Sequence, residues 1–254
     1  MCIRDSYNVD LPIVGDAKLV LRQLIDSCKE IVGNSRKDDQ STAKEVQSER
    51  EGWLAQWRAK LSDSSTPMTP YRVIWDFMHT IPPEDAIVTH DSGSPRDQLT
   101  PFYRSNGPRT YLGWGKSHGL GTGLGLTIGA KLAAPEKVCV NFMGDAAFGM
   151  VGLDFETAVR SNIPIITVVL NNSSMAVETK QMADSHNLYG TRDLGGNYAD
   201  LGKAMGGYAE RVTDPNQISA AFTRARKVTE EEGKAVLLEF ITNEEVEFSH
   251  RRPF

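Results

Sequence analysis

Cysteine is scarce in this sequence. Cys2, Cys28 and Cys139 form no C-x-x-C pair and no zinc-type spacing, which argues against a disulfide framework and fits a reducing compartment. Cys139 stands inside an apolar run and reads as a small core residue. Long apolar runs are also missing: none approaches the roughly 20 residues of a membrane span. Met1–Tyr7 lacks the apolar segment of a secretory signal. The expected location is cytoplasmic, with no membrane partner. Nor is there a cationic excess. Against 33 Asp and Glu stand 28 Lys and Arg, for a formal charge of −5, and no basic stripe offers a footprint for nucleic acid. Histidines form no metal-ligand cluster; His79 and His250 read as surface residues and His90 as a strand end, so zinc chemistry is not expected.

What is there is an ordinary globular composition, 40% hydrophobic and 24% charged, arranged in three blocks. Residues 1–32 hold a leader, a short strand at Val9–Val14 and a helical pattern with Leu19, Val20, Leu24, Ile25 and Cys28 on one face. The leader runs straight into that strand, so an N-terminally truncated reading frame is expected, with 8–32 the remnant of a preceding domain. Residues 33–66 are polar, with Trp53, Leu54, Trp57 and Leu61 at helical spacing. They read as a linker helix whose tryptophans serve packing.

Residues 67–254 alternate strands with helices, the pattern of a parallel sheet in an α/β fold with helices on both faces, three layers in all. Thr69-Pro70 caps a helix with Val73, Ile74, Phe77, Met78 and Ile81 inward. Strands are expected at Ala86–Thr89, Thr110–Leu112, Val138–Met143, Ile165–Leu170 and Ala235–Ile241. Between them come a loop at Asp91–Arg96, a glycine-rich turn and helix at Gly119–Ala133, a helix with Val151, Phe155, Ala158 and Val159 inward, and one starting at Asp214-Pro215.

The chemistry concentrates in Gly144-Asp145-Ala146-Ala147, followed by a helix, a strand and Asn171-Asn172. Asp145 lies just past one strand and Asn172 just past the next, at the edge where open parallel sheets bind ligands. On neighbouring strands, about 4.8 Å apart, both side chains can reach one ion. A carboxylate and a carboxamide are hard oxygen donors suited to Mg²⁺. The Ala146 and Ala147 amides, near a helix start, can meet phosphate charge. A carboxylate alone repels a diphosphate; the metal reverses that sign.

This arrangement, with Asp145 and Asn172 set 27 positions apart, resembles the cofactor motif of thiamine-diphosphate enzymes such as acetolactate synthase and pyruvate decarboxylase. The resemblance spans residues 67–242 and extends into 8–66. It implies the three-layer thiamine-diphosphate-binding fold, with Asp145, the Asn172 side chain and the Ser174 carbonyl on Mg²⁺ and Gly144, Ala146 and Ala147 beside the cofactor. Ala146 departs from the family's usual glycine, which matters if its φ is positive. His118-Gly119-Leu120-Gly121-Thr122-Gly123 resembles the segment that bends the cofactor. Leu120 falls on the apolar wedge, and the His118 carbonyl falls where the cofactor's amino group is held beside the reacting carbon. Asp91-Ser92-Gly93-Ser94 resembles the loop that touches the diphosphate, through Gly93 and Ser94. Glu178, six residues past Asn172, matches an active-site glutamate of decarboxylases and some acetyl-transferring relatives; it is equally readable as an exposed helix residue.

The resemblance implies C–C bond chemistry on a 2-oxo acid, acetolactate synthase-like. Decarboxylase or acetyltransferase activity, of the sulfoacetaldehyde acetyltransferase kind, is the alternative. It also implies a homodimer or homotetramer of the complete protein and a pyrimidine-binding domain that this chain lacks. Without that domain the chain is expected to turn over negligibly, and a non-catalytic cofactor-binding subunit is a further reading. A dinucleotide module fits less well, because no strict G-x-G-x-x-G occurs: the sixth positions from Gly119, Gly121 and Gly123 are Leu124, Leu126 and Ile128. Arg251-Arg252 reads as a solvated basic end.

Overall fold

The computed structural model describes residues 9–33, 40–113, 119–178 and 181–249. The chain divides into two compact units, Met1–Ala55 and Gln56–Phe254. In the first, helix α1 (Ala17–Val32) starts at Asp16, whose carboxylate accepts the Leu19 N–H, and ends at Gly33 with φ of 61°. The apolar face read from the sequence is there, but none of its residues is buried. Val9–Val14 is not a strand. A strand needs a partner for its N–H and C=O groups, and no bridge reaches this segment among the described residues.

The second unit begins within helix α2 (Ser41–Leu61). There Trp57 is buried against Tyr71 and Phe102, with ring centroids 5.1 and 5.4 Å away, so this tryptophan packs a core. Helix α3 (Pro70–Thr80) is capped by Thr69, whose hydroxyl accepts the Arg72 N–H. Its residues Val73, Ile74 and Phe77 are fully buried.

Among the described residues six parallel strands follow: β1 (Ala86–His90), β2 (Tyr111–Leu112), β3 (Val138–Gly144), β4 (Ile165–Asn171), β5 (Tyr208–Val212) and β6 (Val236–Ile241). Their order across the sheet is β2-β1-β3-β4-β6-β5, every pair parallel. The central strands are buried on both faces, as their near-continuous Val, Ile and Leu content demands. On one face, Cys139, Met143, Ile165, Val169 and Leu237 meet Leu124, Phe155 and Tyr198. On the other, Phe142 and Phe240 point towards Phe77 of α3 and Phe222 of the helix Ile218–Glu231, the two helices meeting through a 5.3 Å Phe77–Phe222 ring contact. Helices therefore cover both faces, in three layers.

The structure adds elements that the sequence did not announce. The Asp91–Arg96 loop runs into a short helix, Ser94–Leu99. The helix expected after Asp145 is two, Asp145–Val151 and Asp154–Arg160, broken around Gly152 where glycine's poor helix propensity acts. Strand β5 was not expected at all. Its YAERV carries two charges because it is an edge strand with one neighbour.

Candidate functional site

In the β3–β4 ladder, Gly144 pairs with Leu170, so Asp145 and Asn172 follow directly on adjacent strand tips. Both line one cavity of about 300 Å³, together with Ser92, Gly93, Ser94, Leu120, Gly144, Ala146, Ala147 and Ser174. Asp145 is buried. Its Oδ1 accepts the Ala146 N–H at 2.9 Å, whereas Oδ2 is buried without a hydrogen-bond partner. Burial pushes its pKa up, and the Ala146, Ser173 and Ser174 backbone groups draw it back. A buried carboxylate oxygen left unpaired is costly, and a proton, a hydrogen-bond donor or a cation would relieve it.

The turn that follows β4 is built by two consecutive asparagines. Asn171 Oδ1 accepts the Ser173 N–H at 3.0 Å and its hydroxyl at 3.2 Å, and Asn172 Oδ1 accepts the Ser174 N–H at 3.0 Å. Ser173 takes a positive φ of 57°, which short polar side chains bonded to their own backbone help to hold. Ser174 is buried, with its hydroxyl oxygen unpartnered. The bonds that close its bridge to Asp193 come from the Ser173 carbonyl and the Met175 N–H, leaving the Ser174 carbonyl out of it.

The facing wall is fastened by Asp91 at the tip of β1. One oxygen accepts from the Ser92 and Gly121 amides, both at 2.8 Å, and the other from the Gly123 amide at 3.0 Å. Gly121 sits at φ 94°, where a Cβ would collide with Val151, and Gly123 lies so close that a Cβ would come 2.5 Å from Asn141 Oδ1. This fixes the turn from which Leu120 reaches the cavity.

The sequence pattern of the family described as "Thiamine pyrophosphate enzyme, C-terminal TPP binding domain" matches residues 91–240. The chain belongs to this thiamine pyrophosphate enzyme family. Among its relatives, a probable acetolactate synthase large subunit of Methanococcus aeolicus is 27% identical over 88% of this chain and 39% of its own length. The acetolactate synthase large subunit of Mycobacterium tuberculosis is 31% identical over 66% of the chain and 31% of its own. A sulfoacetaldehyde acetyltransferase of Alcaligenes xylosoxydans is 29% identical over 67% and 28%. The chain thus spans well under half the length of these relatives. The solved benzoylformate decarboxylase of Polynucleobacter necessarius shares the fold, with a TM-score of 0.61 at 22% identity over 72% of this chain and 34% of that one.

Of the residues predicted for the thiamine pyrophosphate site, Gly93, Ser94, Leu120, Gly144, Asp145, Ala146, Ala147, Asn172 and Ser174 are brought together around the cavity. Ala146 lies in helical backbone with no positive φ, so its departure from glycine carries no strain. Its N–H, however, is turned onto Asp145. His118 lies outside the described residues, as do His250, Arg251 and Arg252. Glu178 ends a single 3-10 turn, Ala176–Glu178, and its side chain is also outside the described set. Among the described residues no group of three or more His, Cys, Asp or Glu could hold a metal. His90 does end β1, and Cys139 is a core residue whose thiol burial pushes up to about 11. Sequence reasoning missed the fastening roles of Asp91 and Asn171, and missed Glu239 altogether. Among the described residues no helix is long and apolar enough to cross a membrane.

Proposed function

We propose that this chain holds Mg²⁺ with Asp145, the Asn172 side chain and the Ser174 carbonyl, and that the cation anchors the diphosphate of thiamine diphosphate in the cavity above β3 and β4. The observation that carries this reading is the buried, unpartnered Asp145 Oδ2, set beside Asn172 on the neighbouring strand tip. The donor set fits the ion: hard oxygens, few enough to leave positions for water and phosphate. Thiamine diphosphate, when bound, supplies the electron sink for breaking the bond next to the carbonyl of a 2-oxo acid.

The chain's own residues bind and orient. Gly93 presents a backbone ledge with φ of 86° and nothing within 4 Å of where a Cβ would stand, room for a diphosphate beside Ser94. Leu120, half-buried on the cavity wall, occupies the wedge position under the cofactor. The activity fitting these relatives best is acetolactate synthase-like carbon–carbon bond formation, carried out as a homodimer or homotetramer with a pyrimidine-binding domain. A sulfoacetaldehyde acetyltransferase at 29% identity keeps acetyl transfer as the second reading. Glu178 leans towards decarboxylase or acetyl-transferring relatives: as a proton relay, its exchange to Gln in the complete enzyme slows the rate, and an unchanged rate removes it from the mechanism.

The cofactor assignment is tested by thermal shift on the purified chain. Thiamine diphosphate should raise the melting temperature only with Mg²⁺ present, and NAD should not raise it with or without the metal. A shift by NAD, or one by thiamine diphosphate that ignores EDTA, would overturn the reading.

A further inference from the structure

Strand β6 is apolar along Val236, Leu237, Leu238 and Phe240, yet in their midst stands Glu239 with no exposed surface at all. A carboxylate in such a place is costly unless its oxygens are bonded. Here each oxygen has a donor. Oε1 accepts the Asn171 Nδ2–H at 2.7 Å, and Oε2 accepts the Ala199 N–H at 2.9 Å, in the first turn of helix Tyr198–Ala204. Arg211 on β5 stands 4.0 Å from Oε2. Glu239 touches nothing in the cavity and belongs to no motif read from the sequence.

Its bond to Asn171 decides which way that amide points. With Nδ2 committed to Glu239, Oδ1 must face the other way, where it receives the Ser173 N–H and hydroxyl. Those two bonds hold Ser173 at positive φ and so set the turn presenting the Asn172 side chain and the Ser174 carbonyl. Were the amide reversed, its NH₂ would oppose the Ser173 N–H, and the turn would lose its anchor.

We infer that Glu239 is a positioning residue for the divalent-cation site: through Asn171 it fixes the turn that carries two of the three proposed ligands. The inference rests on the Mg²⁺ reading above. Partners that orient a metal's ligands typically govern about 10- to 100-fold of its affinity.

The polarity of this contact provides the test. Glu239→Gln leaves two N–H donors converging on a group with one oxygen, so its NH₂ opposes a donor. Asn171→Asp sets two carboxylates against each other. Combining them restores the match: the new carboxamide accepts from Ala199 and donates to the new carboxylate, whose other oxygen still accepts from Ser173. Mg²⁺ affinity of the whole chain is measured by calorimetry with saturating thiamine diphosphate. Without any ligand, the Ser173 and Ser174 backbone amide resonances are followed by ¹⁵N NMR. Each single variant should weaken Mg²⁺ about tenfold or more and move both resonances. The double variant should return affinity to within about threefold of the parent and restore the resonances. A folded single variant that keeps Mg²⁺ within twofold with both resonances in place overturns the inference, and so does a double variant no better than the worse single. If a single variant does not fold, the double decides, since a merely structural defect would compound. A parent chain that binds no Mg²⁺ sinks the proposed function instead, and the resonances still decide the role of Glu239.

Discussion

Two aspartates stand at the carboxyl edge of this sheet, both buried and each at the tip of a strand next to the other's. Asp91, past β1, has both oxygens occupied by three backbone amides from Ser92, Gly121 and Gly123. Asp145, past β3, has one oxygen on the Ala146 amide and the other without a hydrogen-bond partner, with only the pull of the Ser173 and Ser174 backbone groups on the carboxylate. Residue type, burial and place along the strand are the same. What differs is saturation: Asp91 is spent on its own fold, and Asp145 keeps one oxygen unbonded. The pair shows how to tell an acid whose bonding is filled by its own fold from one with capacity left over, without reference to any relative. The question is what remains for an incoming group once every protein donor has been counted.

The largest effect should come from breaking the saturated member. Asp91→Ala removes the acceptor of three N–H groups at once, and each buried donor left unsatisfied costs about 1–3 kcal/mol. With water entering in part, the loss should be about 3–5 kcal/mol in chemical denaturation. Asp91→Asn should fall between, because its one oxygen serves two of the donors while its NH₂ opposes the third. An alanine variant as stable as the parent would mean that the glycine turn does not depend on this carboxylate.

Asp145→Ala should behave in the opposite sense. Removing a buried carboxylate with one oxygen unbonded should leave the unliganded chain about as stable as before, because the relief of its desolvation offsets the loss of the Ala146 hydrogen bond. What disappears is the gain on adding Mg²⁺ and thiamine diphosphate, about 2.7 kcal/mol when ligand is present at 100 times its dissociation constant. Denaturation curves with and without ligand separate the two. A variant that loses stability in the absence of ligand would place Asp145 with Asp91.

The position of one aspartate was legible in the sequence, and almost none of the other's bonding. Asp145 and Asn172 could be placed because strand length and the strand–helix–strand alternation fix where a tip falls, and parallel neighbours then bring the tips together. Asp91 fastens residues 30 and 32 positions away, and Glu239 reaches Asn171 across 68. No periodicity encodes such pairings; they exist only after the sheet has formed. The same reason hid β5, whose charged YAERV looks unlike a strand until the edge it occupies is known. The expected strand at Val9–Val14 failed in the reverse direction, since a strand-like segment alone cannot supply a pairing partner.

A smaller effect should follow from loading the glycine turn that Asp91 holds. Gly121→Ala meets two obstacles, the φ of 94° and the collision with Val151, and should cost about 2–3 kcal/mol. Adding Val151→Ala should recover the steric share and leave the dihedral share. Full recovery would show that the backbone there is free to move. In that case Leu120 is not held by the turn that Asp91 fastens.

The smallest effect should come beside Asp145 itself. Ala146 stands where the family usually has glycine, and its helical backbone carries no strain from the Cβ. Ala146→Gly should therefore gain nothing for the metal, leaving the Mg²⁺ dissociation constant within about twofold. It should lower stability by about 0.5–1 kcal/mol, the usual conformational cost of glycine in a helix. The Ala146 amide donates to Asp145 Oδ1 and leaves Oδ2 bare, a pattern set by the backbone and not by the methyl group. A tenfold gain in Mg²⁺ affinity on restoring glycine would mean that the methyl group crowds the ion. The bare oxygen would then mark a damaged site instead of a waiting one.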